Sequence, residues 1–529
     1  METRRDPPPS LAGSTLLVSG TSLASRVLGF VRDMLMAWLL GGGPAADALV
    51  VALRLPHVLR RLLGEGSLSM TLTAHLVHSR QGSPSPAASF ALAWAVGLRI
   101  TLGLVVIICM AEVAARPLID GLAPGLAAHP TTAPTAAQAS VLFRICLPYA
   151  LAAGMAALGM AFLHSMGHFL VPALSPLCFN TVIIVFALLA ACHVGSPAPM
   201  LAYGFLAGGL VQGLLPCFAL WRMGLWPYRK PAPPRDKIHA CLRALPAGLL
   251  GAAAPQIAML CAMAVASFLP SGAISALYYA ERLLELPMSV TGTALGMVSL
   301  PALAALGAQH QHEAFNAHCA KAMRLSLLLA LPATAGLLAV NQALIAVLLG
   351  HGAFDSHAVH NTALALSGYA YSLPLYALSR PLLAACNARK LTRLSACSGA
   401  AAVLCTLASA VILLYWLPPS HAILGPPLAL GCGLGLQTTL LWRAVNLPAR
   451  TLAGPAVYTM LLASLLTFGA ARLMVQLISS PPVALAAGVM AGAGVYALSL
   501  LLLRHEDTQN GIRWYKKRLA TRQHKGNKP

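Results

Sequence analysis

The sequence predicts an all-α polytopic membrane protein with about fourteen transmembrane helices, and three observations carry that prediction. Only 9% of the 529 residues are charged and 58% are hydrophobic, with a mean hydropathy of +0.74; a water-soluble domain carries about 25% charged residues to cover its surface. Apolar runs of roughly 20 residues, long enough to cross a bilayer as a helix, recur along the whole chain. Lysine and arginine gather in alternate connections between those runs, the pattern expected when alternate loops face the cytoplasm.

The elements follow in order. After Arg4 and Arg5 the apolar stretch continues past Leu23 with no small-residue cleavage site, so it is expected to be a first span at 12–40 rather than a cleavable leader. Proline, glycine and charged breaks then separate spans at 47–78, 88–112, 138–162, 170–192 and 199–221. The Pro-rich basic segment 222–239, RMGLWPYRKPAPPRDKIH, is the longest cytoplasmic connection. It divides an N-lobe (1–221) from a C-lobe (240–442), whose spans lie at 240–269, 273–305, 322–349, 358–385, 394–416 and 422–442. Two further spans, 454–478 and 482–503, precede a basic tail, 504–529, suited to the anionic cytoplasmic leaflet. The longest external loop, 113–137, offers only Arg116, Asp120 and His129 among Ala, Pro and Thr.

The charge asymmetry tests this count. One set of connections carries Arg80, Arg222, Arg229, Lys230, Arg235, Lys237, Arg243, Lys321, Arg324, Arg389, Lys390, Arg393, Arg443 and Arg450, whereas the alternate set holds only Arg116. An even number of spans then places both termini in the cytoplasm. The net charge of +21 is thereby explained by membrane topology, so membrane lipids and not nucleic acid are the expected partners of the basic segments. The twelve cysteines stand singly in apolar runs, without a CxxC pair or a Cys/His cluster, so neither a metal nor a cofactor is expected.

A charge at the bilayer centre costs about 2.5–3.5 kcal/mol on insertion scales and usually marks function. Here the membrane-embedded acids, Asp33, Asp47, Glu65, Glu281 and Glu285, fall only in spans 1, 2 and 8, and the basic residues concentrate in the same three. Span 1 contains SRVLGFVRD, with Arg26, Arg32 and Asp33; Arg26 and Asp33, seven apart, share a helix face. In span 2, Asp47, Arg54 and Arg61 recur every seven residues, with His57 between them, Arg60 beside Arg61, and Glu65 one turn beyond. Span 2 must cross, because otherwise Arg54, Arg60, Arg61 and Arg80 would all be external. Span 8 contains YYAERLLELP, with Glu281, Arg282 and Glu285.

Two readings of these charges stand side by side. Arg32 with Asp33, and Arg61 with Glu65, can be salt bridges that hold a bundle together. Arg26, Arg54, Arg60, Arg61 and Arg282, however, outnumber the nearby carboxylates, and a surplus of guanidinium groups lining a cavity suits a multiply charged anion such as a diphosphate. Arg99, Arg144, Arg380 and Arg472, within or near span ends, are expected to snorkel, with Arg380, in SRPLL, the one of the four that stands out.

At SRVLGFVRD, GGGPAADALVVALRLPHVLRRLLGEGSLS and ALYYAERLLELPMSVTGTALGMVSLPALA the chain resembles the MurJ/MviN family of lipid II flippases. That resemblance implies a fold of the multidrug/oligosaccharidyl-lipid/polysaccharide exporter type: two six-helix lobes around a central cationic cavity, and two C-terminal helices forming a groove for a lipid tail. It implies transport of lipid II, the undecaprenyl-diphosphate-linked peptidoglycan precursor, by alternating access, without bond chemistry and alongside the cell-wall synthesis machinery. It further implies substrate contacts at Arg26, Arg32, Arg60 and Arg282, with Asp47 and Glu65 matching the family's acids of span 2. The chain departs from the family at Met70 and at His57, which puts a titratable ring on the expected cavity face. Spans 7 and 9–14 hold no internal carboxylate, which argues against the cation site some relatives place there. The rival readings are a flippase for another polyprenyl-diphosphate glycan and a membrane polyprenyl-glycan transferase. The sparse external loop argues against the transferase.

Overall fold

The computed structural model describes residues 11–64, 86–224, 235–309, 311–448 and 454–503; all the regular structure among them is helical. Its contacts form two compact units, residues 1–275 with 351–358, and residues 276–350 with 359–529.

In the first unit, α1 (Leu11–Leu40) and α2 (Pro44–Gly64) are joined by a glycine turn. α3 (Pro86–Val113) follows, and then the short α4 (Ala115–Leu122) and α5 (Pro124–Ala128). α6 (Ala133–Cys146), α7 (Tyr149–Ser165), α8 (Leu170–Ala191), α9 (Pro197–Arg222) and α10 (Arg235–Ala266) complete the set. The segment 113–137, expected as an external loop, is thus largely helical: Pro124 and Pro134 begin helices at positions where their missing N–H costs nothing. The fourth span starts earlier than expected and breaks at Leu147–Pro148, where proline removes a ladder donor.

α9 packs against α7 and α8, and α1 lies on α8. The close approaches come from a glycine stripe on α9. A methyl on Gly208 would meet the Phe179 carbonyl oxygen at 2.9 Å, and one on Gly213 the Ala152 carbonyl oxygen at 2.8 Å. Backbone cannot step aside as a side chain can, so Gly213→Val is expected to destabilise the protein by about 1–3 kcal/mol or more. A melting temperature in detergent equal to that of the wild type would show that the α7–α9 contact is not close-packed.

In the second unit, α11 (Ala273–Met288), whose first residues belong to the first unit, runs into a π-helical turn at Ser289–Thr293 and then α12 (Ala294–Ala308). The eighth span is therefore not one regular helix. Pro287 withholds an N–H just before the turn, and Thr291 Oγ1 donates back to the Pro287 carbonyl at 2.8 Å. α13 (His312–Leu348), α14 (Ser356–Ala388), α15 (Thr392–Trp416), α16 (Gly425–Val445), α17 (Pro455–Leu477) and α18 (Pro481–Leu502) follow. α15 pairs with α16, and the α17–α18 hairpin docks on α13, where Tyr496 donates to the Leu328 carbonyl at 2.7 Å. At the base of the unit Arg389 stacks on Phe315 and donates to Val445 O, the last carbonyl of α16.

By length and composition, nine helical segments among the described residues can cross a membrane: α3, α6–α7 together, α8, α9, α13, α15, α16 with the turn before it, α17 and α18. Their outward positions carry exposed Leu102, Val106, Met110, Leu404, Leu465, Met490 and Leu502, a surface suited to lipid and not to water. α2, which carries Asp47, Arg54, Arg60 and Arg61, is markedly less apolar than these nine.

Candidate functional site

Arg32 is buried at 5% exposure and Asp33 at 4%. Arg32 Nε and Nη2 donate to Asp33 Oδ1 at 3.0 and 2.8 Å, while Nη1 reaches Asn180 Oδ1 on α8 at 2.9 Å. The Asn180 amide returns to α1, donating to the Ser25 carbonyl at 3.1 Å. The guanidinium also lies over the Phe205 ring, 5.5 Å from its centroid. This arginine, expected among the substrate contacts, is thus engaged in a polar strap between α1, α8 and α9. Arg26, expected to share a face with Asp33, is exposed.

On α2 the seven-residue repeat separates in environment. Asp47, 1% exposed, accepts N–H bonds from Gly272 (2.6 Å) and Ser275 (2.8 Å), serving as the cap for the first turn of α11. Arg54, Arg60 and Arg61 are half-buried further along the helix, and Arg61 Nη1 lies 3.6 Å from Met259 Sδ. His57 is not on an open face: 8% exposed, it packs edge-on to Tyr149 (6.2 Å) and Phe205 (5.7 Å), inside the aromatic core of the first unit. The three-residue offset from Arg54 turns it toward α7 and α9. Glu65, Met70 and Arg80 lie outside the described residues.

Three arginine-poor connections meet beside Asp47. A methyl on Gly42 would strike Ala358, and one on Gly272 the Gly42 carbonyl oxygen. Gly41 is equally tight against the Ala353 carbonyl, and the Ala353 N–H donates to Trp38 O at 2.9 Å. Gly41 and Gly272 have φ of +67° and +88°, values that a side chain resists. Residues 41–43, 272 and 351–358 form one interlocked joint.

In the second unit Arg282 Nη1 donates to Glu285 at 3.0 and 3.1 Å, and its guanidinium sits 5.3 Å from the Tyr278 ring centroid. The pair is partly exposed, at 22% and 44% for the two side chains. Glu281, beside it, is half-buried.

Sequence reasoning missed Asn180, a lone amide in an apolar run, and Tyr278, one turn before Arg282. It also missed the partners of Asp47, which are backbone amides and leave no residue-type signal beyond Gly272. Among the described residues, α1 and α2 carry five arginines against two aspartates, an excess of three positive charges. Asp33 is bonded to Arg32, and both oxygens of Asp47 receive amides. The described parts of these two helices thus carry net positive charge.

A sequence model described as lipid II flippase MurJ matches residues 36–500. The probable lipid II flippase MurJ of Vibrio cholerae is 30% identical over 448 residues, 83% of each chain. Among solved structures, a lipid II flippase MurJ in an inward closed conformation superposes with a TM-score of 0.78 at 22% identity, covering 92% of this chain and 99% of that one. An inward-facing multidrug resistance MATE family transporter of the MOP superfamily gives 0.65 at 15% identity, over 81% and 95%.

Proposed function

Because the chain belongs to the lipid II flippase MurJ family, we propose that it carries lipid II from the cytoplasmic to the periplasmic leaflet by alternating access. The observation that carries this reading is the excess of guanidinium charge on α1 and α2, where a cation exporter would need acids in excess. The undecaprenyl tail stays in lipid while the arginines replace the water around the diphosphate. Arg26, Arg54, Arg60, Arg61 and Arg282 are the residues that hold the anion in this reading; Glu285 and Glu281 keep Arg282 in place until substrate arrives. Arg32 and Asp33 set the pitch of α1 against α8, and Arg32 reaches substrate only by releasing Asn180. Asp47 and the interlocked joint hold the arginine-poor side shut, which the charge asymmetry of the loops makes the periplasmic side. His57 acts as packing.

No bond is made or broken in this cycle. Inside-negative potential favours outward movement of the anion, each charge being worth about 2.3 kcal/mol per 100 mV. In this reading the chain crosses fourteen times with both termini cytoplasmic; the basic tail lies outside the described residues.

The test is functional replacement in cells depleted of their own lipid II flippase, with membrane levels checked and outward lipid II followed by an externally added probe. The wild type is expected to restore exposure; Arg26→Ala and Arg282→Ala are each expected to lower it tenfold or more, since losing a charge-assisted bond costs roughly 1.5–3 kcal/mol. A wild type that inserts and restores nothing points to another polyprenyl-linked glycan as substrate. Alanine variants as active as the wild type would remove the arginines from the mechanism.

A further inference from the structure

Arg380, one of four arginines expected to snorkel and the one among them that stands out, turns its guanidinium toward the middle of its own helix. It lies eight residues before the end of α14 at Ala388, about 12 Å of helix rise from that end. Its guanidinium folds back over Tyr376, 4.3 Å from the ring centroid and one turn further from that end. Among the described residues no carboxylate forms an ion pair with it, and its Nε is buried without a hydrogen-bond partner. A tyrosine face offsets only part of the cost of a cation in a membrane interior.

The surroundings are shaped around this side chain. The π-helical turn at Ser289–Thr293 delivers Gly292, on which a methyl would lie 2.9 Å from Tyr376 Cε1 and 3.1 Å from Arg380 Cγ. One turn on, a methyl on Gly296 would come 3.2 Å from Arg380 Cβ. Two glycines and an irregular helical turn, a feature common at functional sites, thus seat the arginine and its ring within the second unit.

We propose that Arg380 holds a phosphate oxygen of the carried lipid, as an anion contact additional to Arg282; the proposal rests on the lipid II reading above. The test uses the purified full chain in nanodiscs, titrated with lipid II, with retention of phosphatidylglycerol measured by native mass spectrometry as a separate arm. Arg380→Gln is expected to weaken lipid II binding about tenfold or more, the worth of a charge-assisted bond, at an unchanged melting temperature. Arg380→Lys, which keeps the charge, is expected to lose less. Should Arg380→Gln not fold, Tyr376→Leu removes the ring that positions the guanidinium and is expected to weaken binding several-fold. Wild-type affinity in Arg380→Gln, or in Tyr376→Leu where that stands in, overturns the proposal. So does a loss of affinity that only follows a fall in melting temperature, or a loss confined to phosphatidylglycerol, which would make the residue a headgroup anchor. A wild type that does not bind lipid II overturns the substrate reading itself, and this proposal with it.

Discussion

Arg32→Ala is expected to lower stability by about 3–5 kcal/mol, because it leaves the Asp33 carboxylate buried without the guanidinium that faces it. It also opens the α1–α8 strap through Asn180 and is expected to stop lipid II export. Asn180→Ala keeps the ion pair and loses only the strap, so it should cost less, roughly 1.5–3 kcal/mol for a bond to a charged group. Removing both charges, Arg32→Ala with Asp33→Ala, is expected to be milder than Arg32→Ala alone, because no buried charge is left without its counter-ion. Melting temperatures of the purified variants, read beside the export assay, order the three. An unchanged melting temperature for Arg32→Ala would mean that the network is dispensable to the fold and that Arg32 acts on substrate directly.

Asp47→Ala is expected to strand two buried amides, those of Gly272 and Ser275, at about 1–3 kcal/mol each. The expected signature is local: faster hydrogen exchange at residues 272–275, and loss of export as the arginine-poor side no longer stays shut. Asp47→Asn retains an acceptor oxygen for one amide and should fall between. Wild-type exchange at 272–275 in Asp47→Ala would detach the carboxylate from the closing of that side.

Much of the helical layout was legible because lipid demands long apolar runs, and each of the fourteen expected segments contains helix among the described residues. The irregularities were not. The π-helical turn at 289–293 looks in sequence like any Ser/Thr/Gly stretch, since its geometry is set by Pro287 and by packing against α14. The Arg32–Asp33 pair was legible as one of two possibilities, and adjacency alone could not decide between them. The deciding residue, Asn180, is 148 positions away. His57 was misplaced because a polar ring on a charged helix suggests a polar face, whereas its register turns it toward Tyr149 and Phe205.

The interlocked connections at 41–43, 272 and 351–358 meet through glycine backbone, an alanine methyl, a tryptophan and one occluded carboxylate. In the proposed orientation this joint faces a compartment whose salt content follows the surroundings. Solvent-exposed ion pairs there would weaken as dissolved ions screened them, with a Debye length falling from about 30 Å at 0.01 M to 3 Å at 1 M. The steric fit at Gly41, Gly42 and Gly272 and the amide–carboxylate bonds of Asp47, shielded from water, offer salt little to screen. In the proposed orientation these contacts keep their strength in dilute fresh water and in brine alike, whatever dissolved ions do to the exposed Asp355 and His357 beside them.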